Sequence, residues 1–211
     1  MNQCQPTVTI VHTGTANMAS VTAGFLRLGA IVHMTDDPHV VRDADVLVLP
    51  GVGSFGATMQ RLHADDLVEP LRQRILENRS TLAICLGMQL LCVESEESAG
   101  VAGLGAVDAR LERFDDALRV PHLGWNEVLP QDGVSLMRPG CAYFANSYRL
   151  VDPPTGWAVA ATNYGGQFIS ALQRGRVLAC QFHPELSGTW GRDLLDRWLT
   201  STRDGQGDGP C

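Results

Sequence analysis

Residues 83–89 read Ala83-Ile84-Cys85-Leu86-Gly87-Met88-Gln89, and this stretch decides the architecture. Residues 81–84 are apolar and predict a buried strand, and residues 86–93 predict a helix. The cysteine stands at the join. A side chain at so sharp a strand-to-helix turn is pushed out at the carboxyl edge of a sheet. Such a turn demands small residues two positions before and two after. Ala83 and Gly87 supply them, in a cysteine version of the G-x-S-x-G elbow. The helix N-terminus also favours the thiolate, the reactive form of cysteine. Most cysteines are buried core residues; the flanking small residues single out Cys85.

Working outward, the chain alternates strands and helices. Residues 7–12 predict a first strand, Asn17 caps a helix, and Gly29 suits its end. Residues 30–34 predict a second strand. Residues 45–49 are apolar after Asp45 and are broken by Pro50-Gly51-Val52-Gly53. Helices are predicted from about Phe55 and over residues 67–76. This alternation implies a doubly wound α/β fold, with a mostly parallel central sheet and helices on both faces. Residues 104–150 hold short extended segments between Gly, Pro and Asp, and read as an added antiparallel ribbon region. Further strands are expected at 158–162, 168–173 and 177–182. A last helix carries Trp190, Leu194, Leu195, Trp198 and Leu199 on one face. The expected organisation is one domain over residues 1–200 and a polar, Gly-rich, unstructured tail over 201–211.

Composition narrows the function classes. The chain has 211 residues, 45% of them apolar and 18% charged, with net charge −7. That is a globular balance that repels phosphate backbones, so no nucleic-acid partner is expected. No apolar run of about 18 residues exists to span a membrane. The N-terminal residues lack the pattern of a secretion signal. Six cysteines, at positions 4, 85, 92, 141, 180 and 211, form no CxxC pair. Reduced cytoplasmic thiols are expected. Cys180 and His183 have ligand-like spacing without a second pair, so no metal is expected.

Gln181-Phe182-His183-Pro184-Glu185 offers a base for the thiol. Proline disfavours the helical region for His183, so the segment is expected to be extended. Residues two apart then face the same way, and Glu185 can orient His183 while its other nitrogen takes the thiol proton. The loop Gly51-Val52-Gly53-Ser54-Phe55-Gly56 permits two readings. Literally it is a dinucleotide-binding G-x-G-x-x-G between strand and helix. Pro50 before it, and Cys85 at the end of the next clear strand instead of a ribose-binding carboxylate, count against that. Alternatively, Gly53 and Leu86 supply backbone N–H donors to a tetrahedral oxyanion. The glycines around Val52 would let that peptide reorient.

Taken together, these pieces resemble the class I (triad) glutamine amidotransferases over nearly the whole chain. The resemblance is narrower to the glutaminase subunits of imidazole glycerol phosphate synthase. Gly51-Val52-Gly53, Met88, Gly124-Trp125-Asn126 and Ser187-Gly188 after the His-Pro-Glu carry it. The resemblance implies that Cys85 attacks the side-chain amide of glutamine, His183 shuttles the proton and Glu185 orients it. It implies oxyanion donors at Val52, Gly53 and Leu86, and substrate contacts from Gln89 and Glu97. It further implies the family's doubly wound, flavodoxin-like α/β fold, a (β/α)₈-barrel cyclase partner that consumes the ammonia, and no cofactor. A glutaminase for another amination, a non-catalytic relative and a nucleotide-binding α/β domain are the alternatives. Departures from the family pattern stand at Asn146, commonly His, at Ala83, usually Gly, and at His12, where an acidic residue is frequent.

Overall fold

The computed structural model describes residues 5–14 and 17–203. The first half runs β1 (Thr7–Val11), α1 (Met18–Arg27), β2 (Ile31–Thr35), α2 (Pro38–Asp43), β3 (Leu47–Gly51), α3 (Phe55–Ala64), α4 (Val68–Leu76), β4 (Thr81–Cys85) and α5 (Leu86–Leu90). The second half runs β5 (Glu94–Ser95), β6 (Arg110–Arg113), β7 (His122–Pro130), β8 (Gly140–Asn146), β9 (Tyr148–Arg149), β10 (Ala158–Asn163), β11 (Gln167–Arg174), β12 (Val177–Cys180) and α6 (Gly188–Arg203).

One nine-stranded sheet has the order β2-β1-β3-β4-β12-β11-β10-β7-β8. The strands from β2 to β12 run parallel, and those beyond β12 pair antiparallel. Of the expected ribbon, β7 and β8 extend the same sheet, whereas β6 and β9 join β5 in a second, three-stranded sheet. Alternation along the central strands explains both covered faces. Leu47, Leu49 and Ala83 pack toward Phe55, Met59, Leu71 and Ile75 of α3 and α4. Val48, Leu82 and Ile84 pack toward Phe25 of α1 and Leu194 and Trp198 of α6. Phe25 and Trp198 meet edge to face at 6.1 Å.

Helix caps appear where the sequence signals them. Asn17 Oδ1 accepts from Ser20 N at 3.3 Å. Gly29, with φ +76°, follows the last turn of α1. Helix α2 was not expected, although Asp37 before Pro38 is a start signal. Asp37 Oδ1 accepts from His39 N at 2.8 Å, and the Arg74 guanidinium takes up carbonyls at the other end, donating to Arg42 O at 2.9 Å and Ala44 O at 2.6 Å. The helix expected over 86–93 is shorter, ending at Leu90, because the next residues turn into β5. At the C-terminus α6 continues to Arg203, past the expected domain end. Thr202 is buried there and donates to Leu199 O at 2.7 Å. The rest of the expected tail, and Thr15-Ala16 of the first turn, lie outside the described residues.

Candidate active site

Cys85 ends β4 at φ 54° and ψ −111°, a left-handed conformation that costs a non-glycine residue about 1–3 kcal/mol. The sheet holds it there. Cys85 pairs with Gly51 of β3, and Ile84 is flanked by Pro50 on one side and Cys180 on the other. A Cβ on Gly87 would collide with the Leu49 carbonyl, so only glycine lets α5 start so close to β3. Ala83 is fully buried between Leu49 and Ala179. The elbow expected from the sequence is present.

His183 comes to the elbow from the end of β12. Its backbone is extended, at φ −101° and ψ 94°, and its N–H donates to Tyr143 O at 2.9 Å. Ser187 Oγ donates to His183 O at 2.6 Å and accepts from Tyr143 N at 2.9 Å, which ties the segment to β8. Pro184–Leu186 is a turn of 3₁₀ helix, where a fully extended segment was expected. The Ser187 and Tyr143 bonds bend the chain there. His183 Nδ1 and Glu185 Oε1 nevertheless meet at 2.9 Å, with side chains only 6% and 2% exposed. Burial pulls the imidazole pKa down. Hydrogen bonds to Cys85 and Glu185, with their charges, outweigh it and raise the pKa to about 10. His183 thus has the Cys85 sulfur and the Glu185 carboxylate as its hydrogen-bond partners.

Cys85, His183, Val52, Gly53, Leu86, Gln89 and Glu97 line one cavity of about 220 Å³. Glu185 stands behind His183. The opposite wall is Ala145, Asn146, Ser147 and Tyr148, from β8 and β9. Asn146, noted as a departure from the family pattern, thus lies in the wall of the site, where β8 brings it. Gln181 was missed as a site residue. Its Nε2 lies 3.8 Å from Cys85 Sγ, and the i, i+2 spacing to His183 was the available signal. A larger cleft of about 670 Å³, beside β5 and β6, contains neither cysteine nor histidine.

The glycine loop is shaped for the elbow. A Cβ on Gly51 would lie 2.8 Å from Leu86 Cβ, and one on Gly56 would lie 2.8 Å from Ser98 Oγ. Gly53, at φ +103°, needs glycine for its conformation, whereas Gly51 is not left-handed. The conformational freedom expected on both sides of Val52 is thus confined to Gly53. The first amides of α3, which a pyrophosphate would need, are already used: Phe55 N donates to Glu97 Oε2 at 2.7 Å and Gly56 N to Ser98 Oγ at 3.0 Å. This occupancy removes the basis of the dinucleotide reading.

Comparison with known proteins agrees with the geometry. The family described as glutamine amidotransferase class-I matches residues 13–200. "Imidazole glycerol phosphate synthase subunit HisH" of Symbiobacterium thermophilum is 41% identical, over 93% of this chain and 97% of the relative. "Imidazole glycerol phosphate synthase hisHF, chloroplastic" of Arabidopsis thaliana is 39% identical over 91% of this chain, which spans 34% of that protein. Among solved structures, a "glutamine amidotransferase" superposes with a TM-score of 0.75 at 19% identity, covering 93% of this chain and 98% of that one.

Proposed function

We propose, for a chain that belongs to the class-I glutamine amidotransferases and within them to the HisH subunits of imidazole glycerol phosphate synthase, that Cys85, His183 and Glu185 carry the glutaminase reaction. The chain hydrolyses glutamine to glutamate and ammonia for histidine biosynthesis. The observation that carries the assignment of residues is the buried His183–Glu185 pair set against Cys85 in one cavity.

In the proposed reaction His183 holds the thiol proton and the Cys85 sulfur attacks the carboxamide carbon. A C–S bond forms and the carbonyl oxygen becomes an oxyanion. Backbone N–H groups at Val52, Gly53 and Leu86 stabilise it, each worth roughly 10²–10³ in rate. His183 passes its proton to the nitrogen, the C–N bond breaks and ammonia leaves. Water then gives a proton to His183 and its oxygen to the thioester carbon; the C–S bond breaks and glutamate departs with the thiol restored. Gln89 and Glu97 hold the amino-acid end of the substrate.

The partner is a (β/α)₈-barrel cyclase in the cytoplasm, bound as a heterodimer. It consumes the ammonia to form imidazole glycerol phosphate and an aminoimidazole carboxamide ribotide. Support comes from an apolar strip on the outer face of β7 and β8. Leu123 and Trp125 are 60% and 59% exposed there, and Tyr143 lies opposite Trp125. Ala145, next along the same face, lines the cavity, so a partner on this strip sits at the mouth of the site. The Arabidopsis relative has room for a second catalytic unit in one chain.

Glutaminase turnover is expected to be slow alone and faster when the partner is loaded, since the peptide before Gly53 can reorient. The test measures glutamate release by the chain alone, with empty cyclase, and with cyclase plus its substrate. Release only or mainly in the last case supports the reading. Equal rates in all three contradict the coupling, and no release in any contradicts the activity.

A further inference from the structure

We infer that Gln181 is a positioning residue that holds an N–H donor against the Cys85 sulfur, with its direction set by Gln89 and the Tyr148 carbonyl. This rests on the glutaminase reading and deepens it.

The amide of Gln181 is fully buried beside the nucleophile. Its Nε2 donates to Cys85 Sγ at 3.8 Å, and its Oε1 accepts from Gln89 Nε2 at 2.9 Å. Gln89 Nε2 also donates to Tyr148 O at 3.3 Å, and Asn146 Nδ2 donates to the same oxygen at 2.9 Å. Amide nitrogen and oxygen look alike in shape, so what fixes each amide is the network. Here a backbone atom fixes it. A carbonyl oxygen only accepts, so the end of Gln89 facing Tyr148 O has to be nitrogen. The end of Gln181 facing that nitrogen has to be oxygen. That leaves the Gln181 nitrogen toward the sulfur.

A donor that cannot accept favours an ionised acceptor. A thiolate accepts hydrogen bonds, whereas a thiol divides between donating and accepting. Gln181 therefore tilts Cys85 toward the form that attacks the amide. The reversed amide would set its oxygen against the thiolate and oppose ionisation. The other ionisable groups around Cys85 are His183, with Glu185 behind it, and Glu97 and Tyr148 on the cavity wall. Gln181 and His183 are two residues apart on one segment, so one stretch of chain supplies both a donor to the sulfur and the base for its proton. Gln89 then has a positioning role in addition to its proposed contact with substrate.

The test is the pH profile of Cys85 alkylation by iodoacetamide in the full-length chain. It is followed by peptide mass spectrometry, because Cys141 is exposed and would be alkylated as well. Gln181→Met is expected to raise the profile's midpoint by about one pH unit, the scale set by losing a hydrogen bond to a charged group. Gln89→Met removes the orienting link and is expected to raise it by less. The double variant is expected to match Gln181→Met alone, since the first link acts through the second. An unchanged midpoint in Gln181→Met overturns the proposal, and so do additive shifts in the double variant. If Gln181→Met does not fold, an unchanged midpoint in Gln89→Met overturns it. The two readings separate cleanly. Shifted midpoints in a chain whose complex never releases glutamate sink the glutaminase reading alone. Glutamate release by a wild-type complex, with unchanged midpoints in the variants, sinks this one alone.

Discussion

Gly51, the last residue of β3, pairs in register with Cys85, the last residue of β4. A methyl group added to Gly51 would stand 2.8 Å from Leu86 Cβ and 3.0 Å from Gly87 N. The elbow is thus built against a strand end that has no side chain. Gly51→Ala is expected to displace the elbow, reduce glutaminase turnover by more than about tenfold, and cost about 1–3 kcal/mol of stability as overpacking. Turnover and a urea midpoint on the same preparation check both. Wild-type turnover would show that the close approach does not set the nucleophile's position.

His183→Asn is expected to slow single-turnover acylation more than Glu185→Gln. In the proposed reaction the histidine carries the proton, whereas the carboxylate 2.9 Å away orients the ring and supports its charge. Part of the second task survives in an amide that still accepts a hydrogen bond. Rapid-quench measurement of ammonia release checks this. Equal losses, or a larger loss in Glu185→Gln, would overturn the division of roles.

His122 gives the protein an acid-sensitive core. Its ring is stacked on Tyr164 at 4.0 Å and Phe144 at 4.8 Å, and Nδ1 is buried without a partner. Burial lowers its pKa to about 4. The unfolded chain takes up a proton near pH 6.5, the folded one only near 4, so this site removes stability as pH falls through that window and no further below it. Thermal melts between pH 7 and 4 are expected to fall more steeply in wild type than in His122→Phe. Parallel curves would show that His122 is not the titrating group.

The end of α6 sets where the chain can be cut. A chain ending at Arg203 is expected to keep its melting temperature and activity, because residues 204–211 are polar and Gly-rich. A chain ending at Thr200 loses buried Thr202 and its bond to Leu199 O, and is expected to melt several degrees lower. Identical melting in the two truncations would contradict this.

Much of this architecture was legible before the structure. The elbow was readable because Gly87 and Ala83 meet a steric demand set by one neighbouring strand, which local sequence encodes. His183 and Glu185 were readable because two positions separate them, although the 3₁₀ turn at Pro184 replaced the expected extension. Helix α2 was overlooked despite its Asp-Pro start, since six residues show too little periodicity to be seen. The wall from Ala145 to Tyr148 reaches the site because Tyr143 of β8 bridges to His183, far along the chain, and no local pattern records such a contact. Gln181 lay inside a motif already quoted. Its part in the site emerges only once Tyr148 O, brought from another strand, fixes the direction of two amides.

The central claim is that Cys85 generates ammonia that a partner uses. The most direct measurement compares wild type and Cys85→Ala, each assembled with the cyclase, in forming imidazole glycerol phosphate from glutamine or from an added ammonium salt. The account predicts that Cys85→Ala loses glutamine-dependent synthesis and keeps ammonium-dependent synthesis near the wild-type rate. Loss of both in an intact complex, or glutamine-dependent synthesis that survives without the thiol, would contradict it.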